Sequence, residues 1–305
     1  MDLTTDLVRT LISRQFPEWS ALPITPVARQ GWDNRTFRLG SALSVRLPSA
    51  AAYAAAIEKE DRCLPALAGH LPLPVPAPVA TGRPTADYPH PWSVRRWLAG
   101  LSLEAAEAAD SAEAAGSAEA AGGIDRARLA RDLGAFLTAL RAAPAEGGPA
   151  AGPHSFFRGC HPSAYDDEFT TALRALGDTV DAGACRAVWS SALASAWPAR
   201  PAWFHGDVAV GNLLTTGGRL SAVIDFGTCG VGDPACDLVM AWTYFTGAER
   251  RVFRDAAGLP DDAWRRARGW ALWKALVTMA GMSGPDPEGV QRRVLAEVLA
   301  DPLLP

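Results

Sequence analysis

Three small oxygen-bearing side chains, Asp207, Asn212 and Asp225, stand in otherwise apolar surroundings in HGDVAVGNLL, residues 205–214, and VIDFG, residues 223–227. Carboxylate and amide oxygens are hard donors. They suit Mg2+, which takes one or two protein ligands and completes its shell with water and phosphate. Between the two stretches, apolar runs are joined by Gly217-Gly218, a signal for a tight hairpin. With those glycines as the loop, Asn212 faces Val223 and Asp225 lies two residues further along the same face. Diagonal neighbours of this kind are about 7–8 Å apart at the backbone, so both side chains can converge on one ion. Asp207 lies in the loop entering the hairpin, free to face a substrate.

An aspartate able to accept a proton, an Asn and an Asp able to hold Mg2+, and a nearby histidine are the parts used for phosphoryl transfer in kinases. There they read H-x-D-x-x-x-x-N followed by D-F-G. In this sequence they are His205, Asp207, Asn212, then Asp225-Phe226-Gly227. Turn chemistry would account for either aspartate alone; the fixed offsets together point to a site. A metal-dependent hydrolase would need clusters of His or carboxylate ligands, which the sequence lacks.

These residues must be positioned by a fold, and 305 residues, half of them hydrophobic, suffice for two lobes. Net charge is −4, which argues against a nucleic-acid partner and for a small molecule. The five cysteines lack CxxC spacing and read as free thiols of a reducing cytoplasm. The N-terminus has no apolar h-region and no apolar run reaches membrane-spanning length, so a cytoplasmic protein without membrane association is expected.

After a helix ending near Phe16, residues 24–47 read as antiparallel strands with turns near Gly31 and at Gly40-Ser41. An Ala-rich helix follows from about Ser49 to Ala68. Prolines at alternate positions of LPLPVPAPV, residues 71–79, exclude a central strand and suggest a connector feeding an edge strand. WSVRRWLAG, residues 92–100, holds a strand and then a break, placed as the crossing between lobes. Residues 104–123 contain a tandem SAEAAG repeat, read as an insertion without chemistry. An amphipathic helix follows behind an Asp125 cap, and the chain from Asp233 on is again helical. The expected class is α+β and bilobal: a small antiparallel β-sheet lobe with one helix over 1–97, with a hinge at 92–98, and a larger, mainly helical lobe over 98–305.

HGDVAVGNLL, IDFG and GDPACDL, in this order, resemble the aminoglycoside phosphotransferase family, kinase-like enzymes related to choline kinases. The resemblance runs from about Gly31 to Trp273. It implies a protein-kinase-like fold in which Asp207 is the catalytic base and Asn212 and Asp225 ligate Mg2+, while His205 orients the loop. It also implies a strand lysine paired with a helix glutamate. Here Arg46, in LSVRLP, stands where the lysine belongs.

Ile57, Glu60, Leu64 and Leu67 share one helical face, so Glu60 is a charge on a buried stripe that needs a partner, and Arg46 is the natural one; Glu58 and Lys59 point elsewhere. An arginine can clamp phosphate oxygens bidentately, with a geometry different from lysine's. No GxGxxG is present; GWDNRTFRLG, residues 31–40, takes its place, and its backbone from Gly31 to Asn34 can cover the phosphates, with Trp32 either there or in the core. By resemblance Arg95, Arg96, Trp97 and Leu98 form the hinge that meets the adenine or guanine edge of ATP or GTP.

Asp233-Pro234 reads as a helix start, and Asp237 as a support bonded to backbone of the His205 loop. The resemblance implies transfer of a γ-phosphoryl group to a hydroxyl of an aminoglycoside-like antibiotic. A kinase for another small alcohol (macrolide, amino alcohol or sugar) and a non-catalytic nucleotide-binding protein are the alternatives, the last kept open by Arg46. A polyamine acceptor calls for carboxylates, and Asp166, Asp167, Glu168, Asp261 and Asp262 are candidates. Trp242, Trp270 and Trp273 read as core.

Overall fold

The computed structural model describes residues 2–28, 30, 31, 33–114 and 123–301. Trp32 and residues 115–122 of the tandem repeat lie outside them. Five strands, β1 (Ile24–Pro26), β2 (Asn34–Leu39), β3 (Leu43–Pro48), β4 (Pro78–Gly82) and β5 (Trp92–Arg96), form one antiparallel sheet in the order β1-β2-β3-β5-β4. The proline-rich connector delivers β4 to the edge, where a missing N–H breaks no ladder.

Period-two alternation gives the sheet two different faces. On one, Val45, Leu47, Trp92 and Val94 pack with Val8, Leu11 and Ile12 of helix α1 (Thr5–Gln15). On the other, Arg46 and Arg95 meet helix α2 (Ala51–Ala68), whose Cys63, Leu64 and Leu67 continue into a second, larger core. α2 begins two residues later than the sequence suggests, because Ser49 donates both its N–H (2.8 Å) and its hydroxyl (3.1 Å) to the Asp33 carbonyl.

Strand β6 (Leu101–Ser102) leads into α3 (Leu103–Ala114), and the remainder is chiefly helical. It comprises α4 (Arg126–Ala142), α5 (Asp166–Leu176), α6 (Ala182–Leu193), α7 (Met240–Thr243), α8 (Gly247–Ala257), α9 (Asp261–Met279) and α10 (Val290–Leu299). Asp125 caps α4 as expected, accepting the Arg128 N–H at 2.9 Å. α4 crosses α8 so closely that a Cβ at Gly134 would lie 2.6 Å from that of Ala256. Trp242, Trp270 and Trp273 are buried in this core. All five cysteines are free, and among the described residues no helix is long and apolar enough to cross a membrane.

Two short ladders position the chemistry. β7 (Ala202–Phe204) pairs antiparallel with β10 (Gly230–Gly232), and β8 (Leu213–Thr216) with β9 (Arg219–Val223) around the Gly217-Gly218 turn. Both turn glycines have positive φ (56° and 72°), as a two-residue hairpin loop requires. The register departs from expectation, however. Thr215 pairs with Leu220 but Leu214 with Ala222, so Ser221 is the extra residue of a β-bulge. Asn212 consequently lies opposite Ile224, whose N–H donates to its carbonyl at 2.9 Å, and not opposite Val223.

Candidate active site

β7 is a buried apolar strand that carries the chain directly into His205, Gly206 and Asp207. The loop is held from beneath by Asp237, a buried carboxylate that accepts the His205 and Gly206 N–H groups, each at 2.7 Å. Burial pushes its carboxyl above the ordinary value, although His205 and the two N–H groups pull the other way. Asp233 caps the following 3-10 turn, as expected, and its carboxylate also takes the buried Arg266 at 2.6 Å.

Asp237→Ala leaves two buried amides without an acceptor, at about 1–3 kcal/mol each. The variant should unfold at lower urea concentration by a margin of about 2–6 kcal/mol, and its turnover should fall further than its nucleotide affinity.

Both ring nitrogens of His205 are occupied: Nε2 donates to the Ile224 carbonyl at 2.9 Å and Nδ1 accepts the Asp207 N–H at 3.1 Å. A ring so engaged orients the loop and has no nitrogen left for proton transfer. Gly206 has φ 85°, and a Cβ there would come 2.9 Å from the Thr228 hydroxyl, so the turn that aims Asp207 requires glycine.

Asp207 itself is exposed. Its carbonyl and its carboxylate Oδ2 both accept from Asn212 Nδ2 at 2.9 Å. That orientation of the amide turns Asn212 Oδ1 away from Asp207.

Asp225 is one of only three non-glycine residues with positive φ (64°) among those described. This left-handed backbone costs free energy and is characteristic of functional sites. Its Oδ1 accepts from Arg46 Nη2 at 3.1 Å. Asn212 Oδ1 and the Asp225 carboxylate are hard oxygens, and the donor set fits Mg2+. Among the described residues no group of three His, Cys, Asp or Glu could hold a metal.

Arg46 does meet Glu60, with Nη1 at 3.2 and 3.3 Å from the two carboxylate oxygens. A second cation, which the sequence reading missed, completes the cluster. Arg95 Nη2 lies 3.1 Å from Glu60 and 3.0 Å from Asp61. Burial pushes the Glu60 carboxyl up, but Arg46 and Arg95 outweigh it and hold the group below its ordinary value. Burial likewise pulls Arg46 down, and Glu60 and Asp225 outweigh it and hold the guanidinium above its own. The signal for Arg95 was strand alternation, which puts it on the Arg46 face of the sheet.

Lys59 is buried too, contrary to expectation: its ammonium reaches His154 Nδ1 at 3.0 Å and the His154 carbonyl at 3.1 Å, tying α2 to the loop before α5.

Gly31, Asn34, Arg46, Arg96, Trp97 and Leu98 line one cleft of about 500 Å³ together with Asn212 and Asp225. Glu60 lies beneath it, and Asp207 stands beside it, tied to Asn212. The Trp97 N–H extends the ladder to the Ala42 carbonyl at 2.8 Å. Alternation in an antiparallel pair therefore turns the peptide groups of Arg96 and Leu98 the other way, away from β3. The loop in place of a glycine-rich one is shaped by Gln30, also missed. Its amide donates to the Val27 and Thr36 carbonyls and accepts the Thr36 N–H, at 3.1, 2.9 and 2.8 Å.

The profile of the phosphotransferase enzyme family, APH, matches residues 24–270, well over half of the chain. The chain belongs to this family. The phosphotransferase fold is shared with solved structures. A GDP complex of aminoglycoside 2'-phosphotransferase-IIIa superposes with a TM-score of 0.67 at 21% identity, covering 96% of this chain and 97% of that one. A macrolide 2'-phosphotransferase from Brachybacterium faecium superposes with 0.58 at 23% identity, covering 97% and 98%. An ADP-bound aminoglycoside phosphotransferase, APH(2'')-Ib, gives 0.59 at 16% identity, covering 98% and 97%. No curated protein matches the sequence significantly. The chain is thus a kinase-like α+β enzyme of the small-molecule kinase class.

Proposed function

We propose that this phosphotransferase moves the γ-phosphoryl group of ATP or GTP to a hydroxyl of an aminoglycoside-like antibiotic. The observation that carries the reading is the convergence of Asn212, Asp225 and Arg46 on one cleft, with Asp207 bonded to Asn212 at its side. Residues 1–97 form the nucleotide-binding lobe and residues 98–305 the catalytic one. The base lies at Arg96–Leu98, whose peptide groups read its edge, and the phosphates lie near Gly31, Asn34 and the Arg46–Glu60 pair. Asn212 and Asp225 hold Mg2+, which supplies charge neutralisation on the phosphates when bound. Asp207 orients the acceptor hydroxyl and takes its proton. Catalysis of this type is mostly positioning and electrostatics, which matches a site whose loop is pinned from beneath. The GDP and ADP complexes and the aminoglycoside and macrolide names of the similar structures support a nucleotide donor and an antibiotic-type acceptor.

One observation favours a second acceptor class, a macrolide or another alcohol with few ammonium groups. Among the described residues, four of the five carboxylates expected to face a polyamine have other partners, Asp167 being the exception: Asp166 takes the Trp189 N–H (2.7 Å), Glu168 the Trp273 N–H (3.2 Å), and Asp261 and Asp262 pair with Arg254 (2.7 Å) and Arg265 (2.9 Å). Beside them the Arg158 guanidinium lies 4.7 Å from the Trp273 ring centroid. Desolvation and the like charge of Arg158 pull the Lys274 ammonium down, against Asp207 and Glu168, so a second cation stands in the field of Asp207. Phe156 and Phe157, both left-handed (φ 48° and 53°), are exposed on the same loop.

The purified protein is to be incubated with Mg2+, ATP or GTP, and aminoglycosides, macrolides and amino alcohols singly, with products read by mass spectrometry. A phosphorylated aminoglycoside supports the first class and a phosphorylated macrolide the second. Nucleotide hydrolysis or binding with no phosphorylated acceptor across the panel would count against both.

A further inference from the structure

The loop before α5 is held in a fixed conformation beside the catalytic loop. One end is tied to α2 by Lys59, whose ammonium donates to the His154 carbonyl at 3.1 Å. The other end packs on the strand that leads into His205. There the Gly159 carbonyl accepts the Asp233 N–H at 2.7 Å, and a Cβ on Gly159 would run into the Phe204 ring. Between the two ties, Phe156 and Phe157 are both left-handed, with φ 48° and 53°, and both are exposed. Such backbone persists only where its surroundings over-determine it. The Ser155 hydroxyl lies 2.9 and 2.8 Å from the Gly152 and Arg158 carbonyls, and the Tyr165 hydroxyl donates to the Phe156 carbonyl at 2.7 Å.

What the loop presents next is a cation. The Arg158 guanidinium lies 4.7 Å from the Trp273 ring centroid and 5.3 Å from that of Trp270. Lys274 follows Trp273 on α9 and stands one helical turn beyond Trp270, which places it beside the same guanidinium. Its Nζ donates to the Ser283 hydroxyl at 2.7 Å. Neighbouring like charges disfavour each other's ionised form unless an anion joins them, yet among the described residues neither Arg158 nor Lys274 forms an ion pair. Glu168 and Asp207, the carboxylates in the same field, take donors elsewhere, from Trp273 and Asn212. Burial and then Arg158 pull the Lys274 ammonium below its ordinary value, against Asp207 and Glu168, so the two cations stand on the acceptor side of Asp207.

We propose that Arg158 and Lys274 receive a carboxylate of the acceptor, which is therefore a hydroxy acid whose apolar part lies on Phe156 and Phe157. A guanidinium stacked on an indole keeps N–H groups at its edge for a carboxylate, and the neighbouring ammonium adds a point charge. The same pair repels an ammonium group at that position, as in a polyamine. The inference rests on the phosphotransfer reading of the cleft and narrows its second acceptor class, from alcohols with few ammonium groups to alcohols bearing a carboxylate.

The test uses phenyl alcohols that differ in one group: 3-phenyllactate, its methyl ester and phenylalaninol. Each is titrated by calorimetry into the full chain saturated with Mg2+ and a non-hydrolysable triphosphate analogue. The wild type should bind the acid at least about tenfold more tightly than the ester, the scale of one charge-assisted hydrogen bond, and phenylalaninol most weakly. Arg158→Ala and Lys274→Ala should each remove most of that preference, and Lys274→Arg should keep it. Lys274→Glu should invert the order of acid and phenylalaninol, which loss of a merely structural contact on α9 would not do. Arg293→Ala, which removes an exposed cation of α10, should bind as the wild type does.

Equal binding of acid and ester, binding of none of the three, or a wild-type preference for phenylalaninol overturns the proposal. So does an unchanged preference in both alanine variants. Each of these outcomes leaves the kinase reading standing when the triphosphate analogue binds; absence of nucleotide binding in the wild type overturns both.

Discussion

Asp207→Asn is expected to lower kcat by about 10²- to 10⁴-fold, the usual contribution of a positioned general base, while the affinity for Mg2+-nucleotide stays within about twofold. Asparagine keeps an oxygen for the Asn212 Nδ2 donor, which contacts Asp207 Oδ2 at 2.9 Å. The residue is exposed and its N–H is already taken by His205, so neither fold nor loop geometry depends on the charge. Thermal unfolding should therefore coincide with that of the wild type. What disappears is a carboxylate able to take the proton of the acceptor hydroxyl. Product formation by mass spectrometry and nucleotide titration on the same preparation separate the two effects. Equal turnover in variant and wild type would remove Asp207 from the chemistry and favour a nucleotide-binding role.

Glu60→Ala should be the most destabilising of the site substitutions. Glu60 is fully buried between Arg46 and Arg95, and its removal leaves two buried guanidinium groups with reduced compensation. Breaking a buried ion pair from one side costs about 3–5 kcal/mol, readable as a shift of the urea midpoint. The sign of the pH dependence follows from the direction of the shift. Because the folded carboxyl titrates below its ordinary value, the stabilisation is complete above the ordinary glutamate range, about pH 4.3, and is lost as pH falls through the lower folded value. The gap between wild type and variant should be constant from about pH 7 to 5 and close only below about pH 4. A gap that closed between pH 7 and 5 would mean that the carboxylate is not held ionised by its arginines.

The parts of the site that were legible in the sequence are those set by short-range rules. The offsets among His205, Asp207, Asn212 and Asp225 and the Gly217-Gly218 turn are local, and so are the caps at Asp125 and Asp233. Glu60 could be placed on a buried stripe because helical periodicity fixes which residues of α2 share a face, and a buried carboxylate demands a cation. Asp237 could be assigned to the His205 loop by the same reasoning, since a charge inside an apolar segment must find donors.

The remainder was decided by packing between elements far apart in the chain. Strand alternation allows Arg95 to share a face with Arg46, but only the seating of α2 on β3 and β5 brings both to one carboxylate. The register at Asn212 turns on a single extra residue, Ser221, and a bulge leaves no mark in a hydrophobic pattern that merely alternates. Lys59 reads as a surface cation on its helix and is buried because the loop at His154 covers it. Arg46 and Asp225 are 179 positions apart in the sequence, and their pairing depends on how the sheet closes over the Asp225 loop. Sequence by itself determined the chemical parts and their local spacing, since backbone geometry repeats within a few residues. Tertiary structure alone decided which parts touch, because shape and charge must be satisfied at once by elements that no local rule connects.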